Sequence, residues 1–179
     1  MGKGVVAASA AVALTPGLGA CSSGGSLKSA SAAATLQKAL AETGQGNFDG
    51  AKTDFQKVLD KDPQNKYAHY NLGYIAQTQG NRGDAKKEYR IALASDPAFV
   101  AALYNLAIAV TADGDTQAAI GFYRAAIKAD KNDANSHFNL GLLLRQTGKT
   151  AQGNSQVQFA VRLNASLKAS ADAQGVPPE

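Results

Sequence analysis

Residues 71–97 read NLGYIAQTQGNRGDAKKEYRIALASDP, and closely similar text returns at 105–131, NLAIAVTADGDTQAAIGFYRAAIKADK, and at 139–165, NLGLLLRQTGKTAQGNSQVQFAVRLNA. The offset is 34 residues each time. Repetition at this period marks a stack of small units, each unable to bury its apolar face alone. Aligned on the period, Leu72, Leu106 and Leu140 share a column, and Gly73, Ala107 and Gly141 share the next. Ala51, Ala85, Ala119 and Gly153 form another, followed four residues on by Phe55, Tyr89, Tyr123 and Val157, while Val58, Ala92, Ala126 and Ala160 make a third. These columns predict antiparallel helix pairs. A small residue on each helix lets two backbones approach, and the large residue one turn on fills the gap. Gly46, Gly80, Gly114 and Gly148 follow the first helix of each pair, where a left-handed residue ends a helix and glycine carries no Cβ penalty. Asp62, Asp96, Asp130 and Asn164, at the foot of the Pro63 and Pro97 column, are placed to N-cap the helices that follow, with proline in the first turn.

Length and composition limit what surrounds this stack. With 179 residues, 45% of them hydrophobic and 18% charged, the chain has material for one ordinary core plus tails. The formal charge of +4 comes from Lys and Arg scattered among acids, without the basic stripe that phosphate tracking needs, so nucleic acid is not an expected partner. At the N-terminus, Met1 to Lys3 supply one positive charge and Val5 to Leu14 an apolar run, which Thr15, Pro16 and Gly17 interrupt. That is signal-peptide length, and well short of the roughly 20 apolar residues that cross a bilayer.

Leu18-Gly19-Ala20-Cys21 follows at once and resembles the lipobox of bacterial lipoproteins. The resemblance implies cleavage of residues 1–20 and lipidation of Cys21, the only cysteine in the chain, with Ser22-Ser23-Gly24-Gly25-Ser26 opening a flexible linker over 21–31. Gly19 and the single basic residue of the n-region depart from the usual pattern. Two or three acyl chains hold a protein stably to a bilayer, at about 0.8 kcal/mol per buried methylene. The expected location is the cell membrane or outer membrane of a bacterium, on the extracytoplasmic side.

The stretches Asn71-Leu72-Gly73-Tyr74, Asn105-Leu106-Ala107-Ile108 and Asn139-Leu140-Gly141-Leu142, with their later glycine, alanine and aromatic, resemble tetratricopeptide repeats. Four repeats are expected over 32–65, 66–99, 100–133 and 134–165, with a capping helix and tail over 166–179. The first is degenerate, with Lys38 and Glu42 where apolar residues are usual, and the fourth carries Gly153 and Val157 in place of alanine and an aromatic. The resemblance implies an all-α helix-turn-helix solenoid, a right-handed superhelix whose concave groove is lined by the first helix of each pair and binds peptides or protein segments. Carried over position by position, the groove residues are Tyr67, Tyr70, Asn71, Tyr74 and Gln77, then Tyr104, Asn105, Ile108 and Thr111, then Asn135, Phe138, Asn139, Leu142 and Arg145.

Asn71, Asn105 and Asn139 have two readings. An amide side chain offers a donor and an acceptor to an extended peptide, and buried amides equally serve packing between repeats. Repeats of this family that clamp a carboxylate terminus place Lys and Arg on the groove, and here Tyr70, Tyr104 and Phe138 occupy the column a lysine would need. An apolar or mixed ligand is expected, with Arg145 as the groove cation.

Catalytic and metal patterns fail on spacing. Gly148-Lys149-Thr150 ends like a phosphate loop, but Leu143 stands where its first glycine is required. Asp130 to Asp133 opens like a calcium loop, yet Asn135 and Gly141 replace its glycine and final glutamate. His69 and His137 share a repeat column and have no third ligand beside them, so they read as helix-face residues. No catalytic residue, cofactor or metal is expected. Two functions stay open: an adaptor that assembles envelope complexes, as tetratricopeptide lipoproteins do in pilus and outer-membrane assembly, and a regulatory subunit that tethers and controls an envelope enzyme. An enzyme is the weakest third reading for want of a site.

Overall fold

Each glycine of the ladder closes a helix through the same pair of hydrogen bonds. Gly80 N–H donates to the Gln77 carbonyl at 3.0 Å and Asn81 N–H to that of Ala76 at 2.8 Å, and Gly46, Gly114 and Gly148 repeat the pair with their own neighbours. This is the Schellman arrangement, which needs a left-handed residue at the glycine position. The four glycines have φ of 77°, 80°, 84° and 83°. Gly175, at φ 65°, ends the last helix likewise. Nothing lies within 4 Å of a Cβ built on Gly80 or Gly114, so the requirement there is backbone conformation and not space. Gly80→Val or Gly114→Val is expected to cost about 1–3 kcal/mol, the strain of a β-branched residue in this region, measured by denaturant unfolding.

The computed structural model describes residues 26–178, with side chains from residue 31 onward. The signal segment 1–20, Cys21 and the linker as far as residue 25 lie outside the described residues. Nine α-helices are described: α1 Ser26–Gly44, α2 Phe48–Leu59, α3 Lys66–Thr78, α4 Arg82–Ser95, α5 Val100–Ala112, α6 Thr116–Ala129, α7 Ala134–Gln146, α8 Thr150–Leu163 and α9 Lys168–Ala173, the last preceded by a 3-10 turn at Ala165–Leu167. Helix α1 begins inside the segment expected as linker, because its Ser-Leu-Lys and triple alanine include good helix formers.

The caps correct one expectation. Asp96 and Asp130 end α4 and α6, in extended conformation, and the caps of the following helices sit three residues later. Asn65, not Asp62, caps α3 by accepting from Ala68 N–H, and Pro63 lies in the turn before it. Asp62 instead accepts from the Asn65 amide at 3.0 Å, orienting the cap. Asn164 alone performs the expected role, accepting from Ser166 N–H at 3.1 Å. In the glycine turns the next residue caps: Asn47, Asn81 and Asp115 accept from Gly50, Asp84 and Ala118. One glycine and one cap therefore stop a helix and start its partner.

The helices form two compact units divided at Pro97 and Ala98. In residues 26–97, α1 pairs with α2 and α3 with α4. Leu36, Ala39, Ala51, Phe55, Val58, Ala68 and Ile75 make one core cluster. Full burial of Phe55 and Ile75 contributes about 1.5–3 kcal/mol each. Where α3 meets α4, a Cβ on Gly73 would lie 2.8 Å from the ring of Tyr89, so that column is small because the aromatic column rests on it. Lys38 of α1 reaches Asp54 on α2 at 2.5 Å and Glu42 at 3.3 Å, and Lys57 reaches Asp54 at 2.6 Å. The hydrogen bond from Lys38, then that from Lys57, holds the Asp54 carboxyl below the usual carboxylate range.

In residues 98–178, α5 pairs with α6, α7 with α8, and α6 packs on α7. The fourth repeat departs from the others for a reason visible at its crossing. A Cβ on Gly141 would lie 2.6 Å from Val157 Cγ2 and 2.7 Å from the Gly153 carbonyl, and one on Gly153 would lie 2.6 Å from the Gly141 carbonyl. Here backbone meets backbone, and neither alanine nor an aromatic fits. At the C-terminal end, Leu167, Ala171 and Val176 pack onto Phe138, Leu142, Val157 and Ala160 and so cover the last helix pair.

Candidate functional site

On α3, Tyr67, Tyr70, Asn71, Tyr74 and Gln77 fall at helical spacings of three and four and so form one stripe. Residues of the stripe differ in what they offer. Tyr67, Tyr74 and Gln77 are half-buried, whereas Tyr70 is 1% and Asn71 0% exposed. Tyr70 packs against Tyr89 of α4, ring centroids 5.8 Å apart. The Tyr89 hydroxyl donates to Gln77 Oε1 at 3.1 Å, and burial, with smaller contributions from Tyr70 and Tyr74, pushes the Tyr89 phenol well above its ordinary range. Asn71 donates from Nδ2 to the Tyr67 carbonyl at 2.8 Å, back along its own helix, and its buried Oδ1 has no partner among the described residues.

In the second unit, Ile108 and Thr111 on α5 and Asn135 and Arg145 on α7 are half-buried. Tyr104, Asn105, Phe138, Asn139 and Leu142 are buried, none more than 6% exposed. Tyr104 packs edge-on against Tyr123 at 5.9 Å and accepts from Asn139 Nδ2 at 3.1 Å, a bond that ties α7 to α5. Thr111 donates to the Ala107 carbonyl at 2.7 Å. Of the two readings of the asparagines, the Asn139 bond serves packing between repeats, whereas the Asn71 bond stays within α3. The aromatic column at Tyr70 and Tyr104 likewise braces the second helix of each pair.

Arg145 requires a correction. Its guanidinium donates to Asn154 Oδ1, to the Gln174 carbonyl at 2.9 Å and to the Gly175 carbonyl at 3.2 Å. It is spent on fastening the end of α9 to α7 and is not a cation held out for a ligand. The fork of donors suits this task, since two adjacent carbonyls at a helix end lack partners within the helix.

The half-buried residues of the expected groove, besides Arg145, are Tyr67, Tyr74 and Gln77 in one unit and Ile108, Thr111 and Asn135 in the other, a mixed apolar and polar set. The sequence reading passed over α1: the 34-residue offset puts Ala33, Gln37 and Leu40 in the columns of Tyr67, Asn71 and Tyr74, and Ala33 and Gln37 are exposed. Subtracting the period from α3 was enough to find them.

Other candidates resolve locally. Gly148 has the φ of its three counterparts, and Asp130 accepts from Asn132 N–H at 2.9 Å in a turn. Among the described residues no group of three or more His, Cys, Asp or Glu could hold a metal ion, and no helix is long and apolar enough to cross a membrane. His69 and His137 are buried, each hydrogen-bonded at Nδ1 to the second helix of its own repeat and at Nε2 to the turn that ends the preceding repeat.

Three repeat models match the chain: two described as tetratricopeptide repeat, over residues 75–134 and 122–153, and one as TPR repeat, over 39–80. No curated protein matches it. Among solved structures, one described as "Functional Characterization of Pseudomonas Aeruginosa pilF" is 28% identical with a TM-score of 0.69, over 77% of this chain and 63% of that one. A structure of MamA is 23% identical with a TM-score of 0.63, over 77% of this chain and 85% of the other. A mutant O-GlcNAc transferase of Thermobaculum terrenum is 23% identical with a TM-score of 0.69, over 76% of this chain and 27% of the transferase. This chain thus spans under two thirds of the pilF chain and about a quarter of the transferase. The fold is an all-helical solenoid of this repeat type, whose ordinary use is to hold other proteins.

Proposed function

We propose that this tetratricopeptide-repeat protein is a lipid-anchored adaptor of the bacterial envelope, which uses the exposed residues on the first helix of each pair to hold protein segments while Cys21 fixes it to a membrane. The observation that carries the binding half is the half-buried set Tyr67, Tyr74 and Gln77 on α3, aromatic and amide side chains on one stripe of one helix. Aromatic side chains with a polar atom suit recognition of extended segments, because they bury large area at low entropic cost. The similarity to pilF supports the repeat fold, and it is the sequence at 18–21 that supports the anchor and with it the envelope setting. A regulatory subunit that tethers an envelope enzyme would use the same face, and the identity of the captured partner separates the two.

The anchor is tested by metabolic labelling with palmitate and by fractionation. Wild-type protein is expected to take up label and to pellet with membranes, and Cys21→Ala is expected to do neither, remaining soluble or held as precursor. A wild type that is processed, unlabelled and soluble contradicts the proposal.

A further inference from the structure

In the unit over 26–97 a groove of about 940 Å³ opens between the first half of α1 and the end of α2, where Ala32, Ala33, Leu36 and Val58 give it an apolar lining. Lys61, Asp62 and Asn65, from the turn that leads to α3, complete the lining. A volume of this order holds a short segment of another molecule. The repeat period shows where the space comes from. Leu36 stands in the column of Tyr70, Tyr104 and Phe138, where every other repeat has an aromatic ring, and Ala32 and Ala33 stand in the columns of Lys66 and Tyr67.

At the matching place in the second repeat the chain supplies these groups itself. Lys66 Nζ lies 2.5 Å from Asp96 Oδ2 and 5.1 Å from the centre of the Tyr67 ring, and Tyr70 is 1% exposed. A cation that meets a carboxylate on one side and a ring on the other is favourably placed. Asp62 is the repeat counterpart of Asp96, and alanine, at position 32, stands where the lysine would be. Asp62 is exposed and accepts from Asn65 Nδ2 at 3.0 Å, and a carboxylate has room for further donors. Lys61, the other charge in the lining, donates to Ser31 Oγ at 3.0 Å, while Lys38 and Lys57 are held by Asp54. The first repeat thus keeps the carboxylate and the apolar wall of the second and lacks its cation and its rings.

We propose that this groove recognises a protein segment in which a lysine or arginine stands next to an aromatic residue. The cation pairs with Asp62 and the ring lies on Ala33, Leu36 and Val58, so that the partner supplies what Lys66, Tyr67 and Tyr70 supply one repeat later. This rests on the adaptor reading above and names the segment that the adaptor holds. The ring contributes most of the affinity, through apolar area removed from water. The ion pair is exposed and contributes less, and it sets the preference for a basic neighbour over an acidic one.

The test is an octapeptide array that carries every residue type at each of two adjacent central positions in a glycine-serine background, probed with detergent-solubilised full-length protein. Pairs of Lys or Arg with Tyr, Phe or Trp are expected to be retained most strongly. Three variants each install a residue that another repeat carries in the same column: Ala33→Tyr, as at Tyr67; Asp62→Asn, as at Asn164; and Lys61→Ser, as at Ser95. With a fluorescein-labelled Lys-Tyr octapeptide followed by anisotropy, Ala33→Tyr should weaken binding about tenfold by filling the groove. Asp62→Asn should weaken it about threefold to fivefold, a difference that fades at high salt, and Lys61→Ser should leave it unchanged or tighter. Selection of acidic and aromatic pairs, no selection at all, or self-association of the full chain that Ala33→Tyr abolishes would overturn the proposal. Peptide capture that persists undiminished in Ala33→Tyr overturns it as well, and leaves the adaptor reading standing on Tyr67 and Tyr74.

Discussion

Gly141→Val is expected to unfold the C-terminal unit, with a loss of about 3 kcal/mol or more in denaturant or thermal unfolding. The new Cβ would stand 2.6 Å from Val157 Cγ2, 2.7 Å from the Gly153 carbonyl and 3.0 Å from the Val157 nitrogen. A flexible side chain could swing aside; two of these three atoms are backbone and cannot. Helix α8 would have to retreat along its length, taking Val157 and Ala160 from the cluster that also holds the C-terminal cap. Gly121 on α6 gives the control, since it is exposed and nothing lies within 4 Å of its Cβ. There Gly→Ala should stabilise by about 0.5–1 kcal/mol through helix propensity alone. Similar small effects at both positions would mean that α7 and α8 are not in backbone contact.

Tyr89→Ala should cost about 3–5 kcal/mol, the usual range for deleting a buried aromatic ring. Tyr89 is 0% exposed, packs on Tyr70 and covers the site where a Gly73 Cβ would lie. The double-mutant cycle is the sharper reading. Gly73→Ala alone drives a methyl to 2.8 Å from the ring, at a cost of about 1–3 kcal/mol, whereas in Tyr89→Ala that ring is gone and the methyl partly refills the space. The two losses should therefore sum to more than the double variant shows. Simple additivity would mean that the glycine and the aromatic do not share one contact.

The turns were legible from residues 46, 80, 114 and 148 because a left-handed backbone position at the end of a helix has few chemical solutions, and glycine is the best of them. The caps were less so. A run such as Asp62-Pro63-Gln64-Asn65 contains two residues able to cap, and the choice of Asn65 depends on how the turn folds back, which composition does not specify. Columns of small and large residues gave the helix pairing, since that contact recurs at a fixed offset. The candidate site was harder to read, because burial depends on what arrives from elsewhere. Tyr70 and Tyr104 share a stripe with half-buried neighbours and are covered by aromatics 19 residues further along, on the next helix. Arg145 looked like a ligand cation because its partners, the carbonyls of Gln174 and Gly175, lie far along the chain in a segment with no repeat signal.

The proposed function has half-buried residues of α3, Tyr74 among them, hold a protein segment beside a membrane. Its most direct test is site-specific photocrosslinking in cells, with the reactive amino acid at position 74 on α3 or at position 87, an exposed position on α4. A discrete adduct with an envelope protein from position 74, absent from position 87, is the predicted result. No adduct from position 74, or the same adducts from both positions, would contradict it.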